Sequence, residues 1–180
     1  MQRSSVILVT SIILFCLCAT VVHGQEIKKA TESILKSEFG KNSSIKEEKY
    51  VISASAKKKA ESAAKQKFAN DFIYIYTVTD KGKLKGYGFL DNVYGKTMPI
   101  TFLVVFDTRG NIISSSIVKY REQYGGEVAD KEWNRQFKGK NAGSDYTVGK
   151  SIDAISGATI SVNSVTKGIK KLAVLFHEIY

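Results

Sequence analysis

The chain has 180 residues, 43% of them hydrophobic and 11% aromatic, and a formal net charge of +10. That apolar content suffices for one core of ordinary domain size, which excludes a mainly disordered chain and leaves no room for a second full domain. Cys16 and Cys18 both precede residue 25 and His177 is the sole histidine beyond it, so disulfides, thiolate catalysis, cysteine-ligated metals and a histidine-rich metal site are excluded from the rest of the chain, where redox chemistry would need an organic cofactor.

Residues 1–24 read as a secretory signal, with Arg3 at a basic start, an apolar run from Val6 to Val22, and cleavage expected between Gly24 and Gln25. The expected location is exported, periplasmic or otherwise extracytoplasmic. Retention of residues 6–22 as a membrane anchor is the alternative, although the run is a little short for a spanning helix of about 20 residues. Neither cysteine follows the small residues that lipoprotein processing requires. The lysines are dispersed among glutamates, so the positive charge reads as a solvated surface; an acidic ligand or an anionic membrane surface are the other readings, and export argues against nucleic acid.

The spacing of Ile27, Ala30, Ile34, Leu35 and Phe39 predicts an amphipathic helix over Glu26–Phe39, with Gly40 as its C-cap. Ser44–Ser53 predicts a short strand. Ser55 is expected to cap a second helix reaching to about Phe68, with Ala56, Ala60, Ala63, Ala64 and Phe68 on one stripe. Residues 25–70 thus form an N-terminal helical region, packed with residues 71–180 into one globular unit. Phe72–Val78 is β-branched and aromatic and is followed by a turn at Asp80–Lys83; Leu84–Val93 continues as a strand interrupted at Gly86 and Gly88. Met98–Phe106 is strongly apolar, Asp107–Gly110 turns the chain, and Asn111–Tyr120 returns as a hairpin partner. A short helix over about Asp130–Phe137 and a polar loop over Asn141–Lys150 come next. The last helix spans about Ile160–His177, with Val162, Val165, Ile169, Leu172, Ala173 and Phe176 on its apolar face and Lys167, Lys170 and Lys171 off it. The class is α+β: one curved antiparallel sheet of four to five strands, with the N-terminal helices and a C-terminal helix packed on it.

Asp153-Ala154-Ile155-Ser156-Gly157-Ala158-Thr159 precedes that last helix, and its composition suits a phosphate. Gly157 permits close approach of backbone, Ala158 adds little bulk, and the helix start offers unpaired N–H groups and a positive dipole end. The competing reading is that Ser156 or Thr159 merely caps the helix. Upstream, Glu122 and Glu127 with the glycines Gly125 and Gly126 read either as contacts to a flat ring, on which Tyr120, Tyr124 or Trp133 would stack, or as residues that stabilise a bend. Lys96 and Thr97 are further candidates, Lys96 as a counter-charge.

Gly95-Lys96-Thr97-Met98-Pro99-Ile100, Tyr120-Arg121-Glu122, Gly125-Gly126-Glu127-Val128, Gln136-Phe137-Lys138-Gly139-Lys140 and Asp153 to Thr159 followed by Ser161 occur in one order and spacing. Over Tyr87–Leu172 the chain resembles the FMN-binding domain found in the flavin-bearing C and G subunits of sodium-pumping and related NADH:acceptor reductase complexes and in small exported flavoproteins. The resemblance implies an FMN attached covalently through a phosphoester to Thr159. It also implies that Asp153, Ser156, Gly157 and Ala158 form the segment recognised by a separate flavin transferase, which uses FAD and a divalent metal. The usual continuation after the acceptor is Thr-Ser or Ser-Ser, where this chain has Ile160-Ser161. The function it implies is electron transfer between a membrane reductase and an extracytoplasmic acceptor. A reductase of a small acceptor is the alternative through the same flavin, and a flavin-free basic surface-binding module the alternative without it. No Gly-x-Gly-x-x-Gly fingerprint is present, so direct oxidation of a nicotinamide cofactor is not expected.

Overall fold

The computed structural model describes residues 24–180; the signal or anchor expected over residues 1–24 lies, but for Gly24, outside them. A helix over residues 24–39 (α1) is followed by β1 (Ser44–Val51), α2 (Ala54–Ala64), β2 (Phe72–Asp80), β3 (Lys83–Tyr94), β4 (Pro99–Phe106) and β5 (Ile112–Lys119). A 3-10 turn at Gly126–Ala129, the short α3 (Lys131–Arg135) and the long α4 (Thr159–Ile179) complete the chain. Among the described residues no helix is long and apolar enough to cross a membrane.

The five strands pair in chain order, each antiparallel to the next, so Ser44–Val51 joins the sheet as its edge strand. Lys81 (φ 50°) and Gly82 (φ 75°) both take left-handed backbone, which gives a two-residue hairpin of the hand that matches strand twist. At the β4–β5 turn the Asp107 carboxylate accepts from the backbone N–H groups of Arg109 and Asn111, at 2.8 and 2.9 Å.

Helices lie on both faces of the sheet. On one side Leu35 of α1 packs among Tyr76, Val78, Leu90, Leu103 and Val105. On the other, α4 places Val162, Val165, Ile169, Leu172, Ala173 and Phe176 against Phe89, Phe102, Val104 and Phe106, and α2 packs beside α4 through its alanines. Because β4 is covered twice, Ile100–Phe106 is buried without alternation, which explains why its sequence is apolar but for Thr101. Gly168 brings α4 close to the sheet, where a Cβ would meet the Phe102 ring and Val93 at 2.8 Å.

Several expectations are corrected. Ser53, not Ser55, caps α2, its hydroxyl accepting from Ala56 N–H at 3.3 Å. The helix stops at Lys65 in left-handed backbone (φ 52°), so Phe68 reaches the core from the segment beyond. Gly86 and Gly88 do not interrupt β3. They thin it: a Cβ at 86 would lie 2.2 Å from the Phe106 carbonyl and 2.7 Å from the Phe39 ring, and one at 88 would lie 2.9 Å from Leu35. The helix expected over Asp130–Phe137 is shorter and follows a separate 3-10 turn. Lys171 is not on a solvated face but fully buried, its Nζ 3.3 Å from the Asp91 carboxylate of β3.

Candidate functional site

Thr159 is the first residue of α4 and is exposed. The N-cap position is Ala158, and no side chain caps the helix, so neither Ser156 nor Thr159 plays the capping part the bland reading gives them. A 21-residue helix with an uncapped start presents backbone N–H groups and the positive end of its dipole. Gly157 immediately before it takes left-handed backbone (φ 82°), and no atom lies within 4 Å of where its Cβ would stand. Asn163, one turn on, donates to the Thr159 carbonyl at 2.8 Å.

This helix start opens onto a cleft of about 660 Å³, lined by Lys96, Thr97, Met98, Arg121, Glu122, Gln123, Tyr124, Gly157, Ala158, Thr159 and Ile160. The volume falls within the range of small-molecule sites, about 300–1,000 Å³. Sequence reasoning placed Lys96, Thr97, Glu122, Tyr124, Gly157, Ala158 and Thr159 here, and the fold brings these seven together although the β4–β5 hairpin and α3 separate them in the chain. Met98, Arg121, Gln123 and Ile160 also line it, and no feature of the sequence marks them individually as site residues. The Arg121 guanidinium donates to the Pro99 carbonyl and the Thr101 hydroxyl, both at 3.0 Å, which sets a cation in the cleft wall.

Glu122 stabilises a turn. Its carboxylate accepts from Thr97 N–H at 2.6 Å, Met98 N–H at 2.8 Å and the Thr97 hydroxyl at 3.1 Å, and so pins the 95–98 turn. Gly95 makes room for this, since a Cβ there would stand 2.5 Å from a Glu122 oxygen. The backbone donors of Met98 and Thr97 hold the carboxyl below its ordinary range. A depressed carboxylate stabilises its contacts above its unfolded pKa and loses that contribution as pH falls through the folded value. Glu122→Gln is therefore expected to speed amide hydrogen exchange at Thr97 and Met98 at neutral pH, and the wild type should match it only at acid pH, below the usual carboxylate range. Equal exchange in the two proteins at neutral pH would show that the turn stands without the carboxylate.

The remaining predicted residues sit outside the cleft lining. Gly125 (φ 82°) faces inward, its Cβ position 3.0 Å from the Ser161 and Tyr120 hydroxyls, and Gly126 opens the 3-10 turn. Ser156 and Asp153 are exposed. The backbone of Asp153 is clamped: its N–H donates to Gln136 Oε1 at 2.7 Å, and its carbonyl accepts from Trp133 Nε1 at 2.9 Å. The stretch from Gln136 to Lys140 thus has structural work at both ends, because Gly139 and Lys140 also pair with the backbone of Ile112 at 2.8 Å. Tyr120 joins the Tyr124 carbonyl to the Ser161 hydroxyl, which lies at 2.9 Å, and Trp133 is buried edge-on against Phe137.

Residues 95–174 match the family model of the FMN-binding domain, which bears out the resemblance read from the motifs. No curated protein matches the chain. The residues present fit FMN: an uncapped helix start with an open glycine suits the phosphate, two cations balance its charge, and the cleft also carries large apolar side chains.

Proposed function

We propose that this chain, whose residues 95–174 form an FMN-binding domain, is an exported electron carrier with FMN joined through a phosphoester to Thr159. The observation that carries attachment is an exposed threonine hydroxyl at the first position of an uncapped helix opening onto the cleft. A flavin transferase, dependent on FAD and a divalent metal, would complete the protein: the Thr159 oxygen forms the new bond to the FMN phosphorus, the phosphoanhydride of FAD breaks, and AMP leaves. The N–H groups of the first turn of α4, with Lys96 and Arg121, then offset the charge of the phosphodiester. Glu122 keeps the 95–98 turn in place beside it.

Bound FMN supplies reversible uptake and release of reducing equivalents. The chain contributes position and environment. The cleft lies at the surface, where a membrane reductase on one side of the exchange and an extracytoplasmic acceptor on the other can approach the same edge. Co-expression with a flavin transferase is the test: purified protein should be yellow, with fluorescence that survives denaturing electrophoresis. Colourless protein would overturn the reading.

A further inference from the structure

Three large apolar side chains left open to solvent converge on the cleft beside Thr159: Tyr124 is 82% exposed, Ile160 50% and Met98 44%. They come from three segments, the start of β4, the loop after β5 and the first turn of α4. Single exposed hydrophobics are ordinary on a protein surface, but a group of them around one concave site marks the place of an apolar ligand surface. The backbone beneath Tyr124 is fixed. Its carbonyl accepts the Tyr120 hydroxyl, which also meets Ser161 of α4, and Gly125 packs its Cα face against Ser161 and Ala158. The phenol ring is thus held at the cleft by an anchored main chain, with no packing of its own to retain it.

The other two aromatics near the site are engaged elsewhere, Tyr120 in the link to α4 and Trp133 in the core against Phe137. We propose that Tyr124, with Met98 and Ile160, forms the seat of the isoalloxazine ring, with Tyr124 lying against it. This rests on the flavin reading above. It assigns a role to Ile160, a large apolar side chain left exposed at the cleft in the first turn of α4, next to Thr159. Aromatic stacking of this kind adds to simple area burial and orients the ring.

A phenol in contact with a flavin quenches its emission by electron donation to the excited ring, which supplies a readout independent of turnover. Wild type, Tyr124→Ala and Tyr124→Trp would each be flavinylated, checked for one adduct by intact mass and for fold by circular dichroism, and compared folded and in urea. Wild-type emission is expected to rise roughly threefold or more on unfolding, folded Tyr124→Ala to emit near the unfolded level, and Tyr124→Trp to stay quenched. In a second measurement, Met98→Ala should make the folded flavin more accessible to iodide. Loaded Tyr124→Ala that remains as dark as wild type, or wild type that is equally bright folded and unfolded, overturns the seat alone. Wild type that takes up no flavin overturns the functional reading and the seat with it.

Discussion

Thr159→Val is expected to abolish flavin attachment completely, leaving a protein of unmodified mass after co-expression with a flavin transferase where the wild type gains a single FMN adduct. The substitution removes only the hydroxyl and keeps the branched side chain. Thr159 is exposed at the first position of α4, and the helix carries no side-chain cap to lose, so stability should change by no more than about 0.5 kcal/mol. Loss of the adduct would therefore report chemistry and not folding. Thr159→Ser keeps a hydroxyl at the same backbone position and should retain attachment. An adduct of unchanged yield on Thr159→Val would place the linkage on another residue and remove the central element of the proposal.

Lys171→Met is expected to cost about 3–5 kcal/mol of stability, the largest loss anticipated from any single change considered, because it leaves a carboxylate alone in the core. Lys171 is fully buried, Asp91 is 3% exposed, and their charged ends are 3.3 Å apart without hydrogen-bond alignment at that Asp91 oxygen. The ammonium also donates to the Lys67 carbonyl at 3.0 Å and lies 4.0 Å from the centre of the Phe68 ring, so it ties α4 to the segment after α2 as well as to β3. Burial pushes the Asp91 carboxyl up and the Lys171 ammonium down, each opposed by the partner charge. Without Lys171 that opposition disappears and the folded pKa of Asp91 rises further. A carboxyl with a raised folded pKa stabilises the protein below its unfolded value and loses that contribution as pH rises through the folded one, so the deficit of Lys171→Met should be greater at pH 7 than in mild acid. Urea denaturation at two pH values measures it. The double change Lys171→Met with Asp91→Leu removes both charges and should recover most of the loss. A single-variant cost below about 1 kcal/mol would mean that the pair is solvated in solution.

These two residues illustrate what could and could not be read along the chain. Thr159 could be singled out because a small-residue run and a glycine stand at the start of a 3.6-periodic apolar pattern, and because the ordered motifs upstream carry the resemblance that implies its role. Lys171 was assigned to the solvated side of α4, since on a helix considered alone it stands among other lysines. Only α2 and the end of β3 arriving over that side of α4 enclose it, with a counter-charge 80 positions earlier. A bend-stabilising role was open to Glu122 from the sequence, but its partners were not legible, because they are backbone N–H groups of the 95–98 turn, and backbone donors carry no sequence signature.

The sequence by itself determined most of the strand and helix segments, the apolar face of α4 and the α+β class, which follow from periodicity and turn chemistry, and it held the ordered motifs that carry the family resemblance. Tertiary structure alone decided that helices cover both faces of the sheet, that Gly86 and Gly88 serve close approach of α1 and not a break in β3, and that Gly125 lies against Ser161 and Tyr120. It also decided that, of the three aromatic candidates, Tyr124 and not Tyr120 or Trp133 lines the cleft. The division has one cause: local backbone preferences are written in neighbouring residues, whereas burial, counter-charges and cleft walls depend on segments that meet only when the chain has folded.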